Sequence, residues 1–288
     1  MATKGATVYN LDIDKPEETI LRVTYVRCDI SSWTDLLAAF ATTGAPHIAV
    51  ANAGIDEDGT YITDSYDDYG NLLEPSYKVI DVNLRGTLNF IKVSLHLMKK
   101  NAIAGSIVIT SSATAYLPEQ TLPVYSGTKA AVSEASICKH KEDLNAETLA
   151  LQLINYMRAM RSLIRDSNIT INAVVPAATI TKLLPMDLAG PILAAGLPVS
   201  TAEFVALAVA YSAVAQESRK VQGYGKDGCE WIQRPGRWNG RTILTLGDSF
   251  TELEEDLSEC RGVWFGHKNL EKTKMQQAAT DFRDVPRG

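Results

Sequence analysis

The chain has 288 residues, 45% hydrophobic and 22% charged, enough for one large α/β domain whose core needs no staples. Its formal charge of −6 lacks the basic excess that grips phosphates, and no apolar run reaches the roughly 18 residues of a membrane span, so neither nucleic acid nor membrane is expected as a partner. Cys28, Cys138, Cys229 and Cys260 are widely separated, as are His47, His96, His140 and His267, so no metal site is expected and the cysteines read as free thiols in a reducing, cytoplasmic setting.

In chain order, the opening MATKGATVYNLDID lacks the charged-then-apolar plan of a secretory leader, which empties the glycosylation match at Asn168. ATVYNLDI (6–13) predicts a strand ending on Asp12 and Asp14, and RVTYVRCDI (22–30) a second ending on Asp29. SSWTDLLAAF (31–40) predicts a helix opened by serine caps. PHIAVANAG (46–54) predicts a third strand, closed by Asn52, Ala53 and Gly54. The long pattern 75–100 predicts a helix that ends on Lys99 and Lys100, which suits the negative end of its dipole. GSIVITSS (105–112) predicts a strand ending on Ser111 and Ser112, and ITINAVV (169–175) another, followed by Pro176 to Thr181. STAEFVALAVAYSAVA (200–215) is the last strong helix pattern and RTILTLG (241–247) the last strand. Strands alternating with helices predict a parallel sheet covered on both faces, in one domain over 1–250. Residues 251–288 read as a polar, partly helical C-terminal extension. Ligands of such sheets sit beyond the carboxyl ends of the strands, so the residues named above share one rim.

Tyr125 and Lys129 are four apart and share one helix face. A phenol is a poor base at neutral pH, and an adjacent ammonium stabilises its phenolate, so the pair fits general acid–base work. An ordinary surface helix pair is the bland alternative. Context weighs against it. The strand-end Ser112, the pair Tyr125 and Lys129, Asn52-Ala53-Gly54, Asn83 in DVNLRG and the segment NAVVPAATIT resemble the classical short-chain dehydrogenase/reductase family over about Gly5 to Gly247. Ala177 departs from the family glycine in that segment.

The resemblance implies a Rossmann-like doubly wound parallel sheet. It implies Tyr125 as proton donor or acceptor at the substrate oxygen and Lys129 as the group that lowers its pKa and holds the nicotinamide ribose. Ser112 hydrogen-bonds the reacting carbonyl, and Asn83 holds a water linking Lys129 to solvent. Asn52, Ala53, Gly54, Thr179 and Thr181 fall at the cofactor. Asp12 would accept from the adenosine ribose and repel a 2′-phosphate, which favours NAD over NADP. Asp29 would lie beside the adenine. Asp14 reads as the cap of a short helix begun by KPEE. The implied activity is interconversion of a secondary alcohol and a ketone. The apolar stretch after Thr181 points to a hydrophobic small molecule, and the end pattern WNGRTILTLGD resembles fungal members near the hydroxyprostaglandin dehydrogenase-like branch, often of secondary metabolism. The family commonly forms homodimers or homotetramers.

Two departures stand out. The family's first strand and its Thr-Gly-x-x-x-Gly-x-Gly phosphate turn have no counterpart in this sequence. The triplet Gly223, Gly225, Gly228 follows polar residues instead of a strand and is no substitute. A non-catalytic relative or interaction subunit is therefore the rival reading, and a nucleotide-sugar epimerase would need a longer chain. In addition, the helix pattern collapses after Ala131 and resumes at Leu153. Removing the 21 residues Val132 to Gln152 restores one amphipathic helix, and the ends of the segment can be encoded as intron borders, so it reads as a retained intron.

Overall fold

All six β-branched runs form strands. They are β1 (Val8–Asp12), β2 (Val23–Arg27), β3 (Ile48–Ala51), β4 (Ser106–Thr110), β5 (Thr170–Pro176) and, after the two-residue pair β6 (Gln216–Glu217) and β7 (Gly236–Arg237), β8 (Thr242–Leu246). The computed structural model describes residues 1–129, 153–217, 223, 225–227 and 235–281. The segment 132–152 and Gly228 lie outside the described residues.

The larger sheet has the order β3-β4-β5-β8-β9. Its first four strands are parallel, and β9 (Ser249–Glu252) returns antiparallel along β8. Gly247 makes that tight return at φ +62°, where a Cβ would also lie 2.8 Å from Pro198 Cβ. The strand pleat sends alternate side chains to opposite faces. Ile107, Ile109, Ile171, Ala173 and Val175 pack under Ile91, Leu95 and Met98 of α3 (Thr87–Lys100) and Leu153, Ile154 and Met157 of α5 (Leu153–Leu163). Val108, Val174 and Ile243 face the other way, against Ala208, Val209 and Ala213 of α7 (Ala202–Val214). This is the expected three-layer arrangement.

The sheet is broken. β1 and β2 pair in parallel as a separate two-stranded sheet, and among the described residues neither hydrogen-bonds to β3. The helix layer spans the break: Leu36, Ala39 and Phe40 of α1 (Trp33–Thr43) pack with Cys28 and with Val93 of α3. The Phe40 and Phe90 rings lie 5.4 Å apart. Ser32 caps α1, accepting from the Asp35 amide. The long helix runs from α2 (Lys78–Ile80) through a π-helical turn, Asp81–Gly86, into α3. Gly86 allows that turn to touch the chain after β2, since a Cβ there would come within 3.0 Å of the Ile30 carbonyl oxygen.

Three details differ from expectation. No helix follows β1: residues 13–20 are irregular, and the Asp14 amide donates to Asp12 Oδ1 at 3.1 Å, so Asp14 caps nothing. Lys15 precedes Pro16, which steers it away from helical backbone. The apolar stretch after Thr181 contains a helix, α6 (Met186–Ala194), whose internal Pro191 hid it. The C-terminal extension, helical among its described residues as α8 (Glu254–Phe265) and α9 (His267–Ala279), differs from the polar reading in that Glu254, the first residue of α8, is buried.

Candidate active site

The parallel strands deliver their polar ends to one rim. At the end of β4, the Ser111 amide donates to Val174 O at 2.8 Å and its hydroxyl to Lys129 O at 2.9 Å. Strand and helix are thus tied at the base of the pair. Ser112 opens a 3-10 turn, Ala113–Ala115, by accepting from the Thr114 amide at 3.2 Å. The same side chain lies close enough to Tyr125 to favour its phenolate.

Tyr125 and Lys129 lie on α4 (Pro123–Lys129), which starts on a proline whose missing N–H is not needed in a first turn. The Glu57 carboxylate, from the loop after β3, accepts from the Tyr125 amide. Lys129 is buried, with Nζ 5.7 Å from the centre of the Tyr125 ring and 3.4 Å from Thr110 O. Burial pulls its ammonium down to about 8. Burial pushes the Tyr125 phenol above its ordinary range; Ser112 opposes this and the Asp56 charge adds to it. The expected downward pull from Lys129 does not govern this phenol; burial does.

Gly54 is required by close approach. A Cβ there would sit 3.3 Å from Lys129 Nζ and 3.4 Å from Asn83 Oδ1. Asn83, buried in the π-helical turn, grips Ile55 twice: its Oδ1 accepts from the amide and its Nδ2 donates to the carbonyl, both at 2.8 Å. Its side chain therefore fixes the loop after Asn52, Ala53 and Gly54.

Ser112, Tyr125, Lys129, Asn83 and Gly54 come together. The remaining rim residues are more dispersed. Asp12 and Asp29 end the strands of the separate sheet; Asp29 Oδ1 accepts from the Ser31 hydroxyl and amide, which holds its carboxyl below the usual range. Thr179 donates to Ala177 O at 2.9 Å and Thr181 to Thr179 O at 3.4 Å, so both hydroxyls turn into their own loop. Sequence reasoning placed Ser111 at the rim without giving it a role, and it passed over Glu57. A second strand-end serine was visible, but nothing in IDEDG marks Glu57 until the fold sets it on α4. No cluster of potential metal ligands occurs among the described residues.

The profile of the short chain dehydrogenase family matches residues 2–144. A short-chain dehydrogenase/reductase of Penicillium roqueforti, prx4, is 48% identical over 284 residues, covering 98% of this chain and 79% of that protein. The chain belongs to the short-chain dehydrogenase/reductase family. Another short-chain dehydrogenase/reductase, ATR7 of Stachybotrys chlorohalonatus, is 44% identical over 98% of this chain and 82% of its own length. Among solved structures, a 3-ketoacyl-(acyl-carrier-protein) reductase from Brucella melitensis complexed with NADH aligns with a TM-score of 0.54 and 23% identity, over 74% of this chain and 82% of that one. A short chain dehydrogenase from Leptospira borgpetersenii with bound NAD+ gives 0.52 and 17%, over 73% and 76%. These two establish the Rossmann-type fold of the short-chain dehydrogenases/reductases.

Proposed function

We propose that this short-chain dehydrogenase/reductase interconverts a secondary alcohol and a ketone on a hydrophobic small molecule of fungal secondary metabolism, with NAD in preference to NADP. The observation that carries this reading is the convergence of Ser112, Tyr125 and Lys129 at the end of β4, with Ser111 tied to the Lys129 carbonyl and Lys129 buried beside the Tyr125 ring. A nicotinamide cofactor supplies the hydride. Tyr125 exchanges the proton at the substrate oxygen, and Ser112 orients that oxygen. Lys129, with its ammonium near 8, replenishes the proton. Because the Asn83 side chain is committed to Ile55, a water relay to Lys129 would use the Asn83 main chain.

The residues fit one end of such a cofactor. Gly54 keeps a Cβ away from Lys129 Nζ, the group that would hold one ribose, and Asp12 at the end of β1 is an exposed acceptor for a second one. Asp29, Asn52, Ala53, Thr179 and Thr181 complete the rim. The phosphate end is not served: among the described residues no glycine turn lies between β1 and β3, and the two sheets do not join. That break favours a second reading, a non-catalytic subunit. Fluorescence titration with NADH, followed by an assay of ketone reduction, separates the two. The oxidoreductase reading expects turnover that Tyr125→Phe abolishes. Retention of more than half the activity in Tyr125→Phe would refute the assigned chemistry.

A further inference from the structure

Glu254 opens α8 with its side chain almost wholly buried, beneath the same core that carries the catalytic strands. Both carboxylate oxygens are used. Oε2 accepts from Arg158 Nε at 2.9 Å, and Oε1 accepts from Arg158 Nη2 at 3.0 Å, from the Thr242 hydroxyl at 3.2 Å and from the Tyr116 hydroxyl at 3.1 Å. These donors come from α5, from β8 and from the residue that closes the turn begun by Ser112. In that turn the Ala115 amide donates to Ser112 O and the Tyr116 amide to Ala113 O, each at 2.9 Å, so its backbone is continuous from Tyr116 back to Ser112. One end of the Ser112 segment is fixed by Ser111 on Lys129 and Val174. The other end is fixed by Tyr116 on Glu254.

A buried carboxylate–guanidinium pair adds little net stability compared with well-packed apolar residues, so placing one here is an inefficient way to hold two elements together. It is an effective way to fix a hydroxyl in a defined place, because each hydrogen bond is directional. We propose that Tyr116 and Glu254 are positioning residues for Ser112: the C-terminal segment supplies the carboxylate that holds the turn which Ser112 opens beside Tyr125. The catalytic meaning rests on the oxidoreductase reading above, while the structural coupling does not.

The test is tyrosine 13Cζ NMR of the full chain at neutral pH, with the Tyr125 resonance identified by its loss in Tyr125→Phe. Ser112→Ala gives the shift expected when the Ser112 hydroxyl is removed from beside Tyr125. Tyr116→Phe, which keeps its ring in the core, is expected to move the Tyr125 resonance in the same direction by at least half as much. The double variant is expected to match Ser112→Ala alone. Glu254→Gln is expected to give a smaller shift of the same sign. A Tyr125 resonance unchanged in Tyr116→Phe overturns the proposal, whatever happens to the melting temperature. In turnover, Tyr116→Phe is expected to lower kcat about 10- to 100-fold at unchanged affinity for NADH. A chain without turnover even at saturating NADH would refute the oxidoreductase reading and leave the NMR result to decide this one.

Discussion

Lys129 pays a desolvation penalty that its task explains. Its ammonium titrates near 8 in the folded chain because it is buried, whereas in the unfolded chain it titrates near 10.4. Between those values the unfolded state binds more protons, so this group makes stability rise with pH from about 8 to about 10.4. Below both values the charged, buried form is a standing destabilisation of up to about 3 kcal/mol. Lys129→Met is therefore expected to raise the urea midpoint at pH 7 and to flatten that rise, while losing turnover. An unchanged or lower midpoint at pH 7 would show that the ammonium is not desolvated. Gly54→Ala probes the same group from the other side. The added Cβ would crowd Nζ at 3.3 Å, and the expected result is a fall in kcat of about tenfold with little change in melting temperature. Wild-type kinetics in that variant would place the ammonium elsewhere during turnover.

Elements differ in how firmly they are held. β4 and β5 have neighbours on both sides and side chains buried on both faces. β1 and β2 have one ladder between them, and Tyr9, Ile13, Ile20 and Leu21 in or beside them are exposed. Amide hydrogen exchange is expected to be at least 100-fold faster in Val8–Asp12 and Val23–Arg27 than in Ile107–Ile109 and Ile171–Val175. Equal protection across both sheets would mean that the small one is covered in solution. α8 is held by a different device. Burial alone would raise the Glu254 pKa, but the Arg158 charge and the hydrogen bonds from Arg158 and Tyr116 outweigh it and keep the carboxyl below its ordinary range. Such a group stabilises the fold above its unfolded pKa near 4.3, and the contribution is lost as the pH falls through the lower folded value. Glu254→Ala leaves the Arg158 charge without that partner, and a loss of about 3–5 kcal/mol by denaturant unfolding at pH 7 is expected. A loss under about 1 kcal/mol would mean that water replaces the carboxylate.

For the whole molecule, the break between β1 and β3 decides cofactor affinity. A strand joining the two sheets would bring a glycine turn to the rim, where backbone N–H groups and a helix N-terminus bind a pyrophosphate. Without one, this chain is expected to bind NADH weakly. A chain extended upstream by a Thr-Gly-x-x-x-Gly-x-Gly segment is expected to bind at least 100-fold more tightly in fluorescence titration. Equal affinity in both would remove the phosphate turn from the account. Removal of residues 132–152 is the companion change: α4 and α5 would run on as one helix, with Lys129 and Leu153 both keeping their buried face. Sequencing of the transcript tests the intron reading, which fails if every mature message keeps those codons.

The sequence by itself determined the strands, because β-branched runs bounded by turn residues report burial locally, and it singled out Ser112, Tyr125 and Lys129, because their pattern lies at fixed spacing along two elements. It also showed that no Thr-Gly-x-x-x-Gly-x-Gly pattern occurs within these 288 residues, because such a pattern is local. The tertiary structure decided what depends on which distant surfaces meet. It left β1 and β2 as a separate sheet, because a ladder needs a partner strand and none is present among the described residues. It turned Asn83 onto Ile55, and it left Asp14 without a helix to cap. It placed Tyr125 in an environment where burial outweighs its lysine, since desolvation depends on everything packed around a group and not on its neighbour four residues away. And it carried Glu254 from an apparently polar tail to the back of the Ser112 turn, 138 residues from the Tyr116 hydroxyl that it accepts, a contact with no signature in either local sequence.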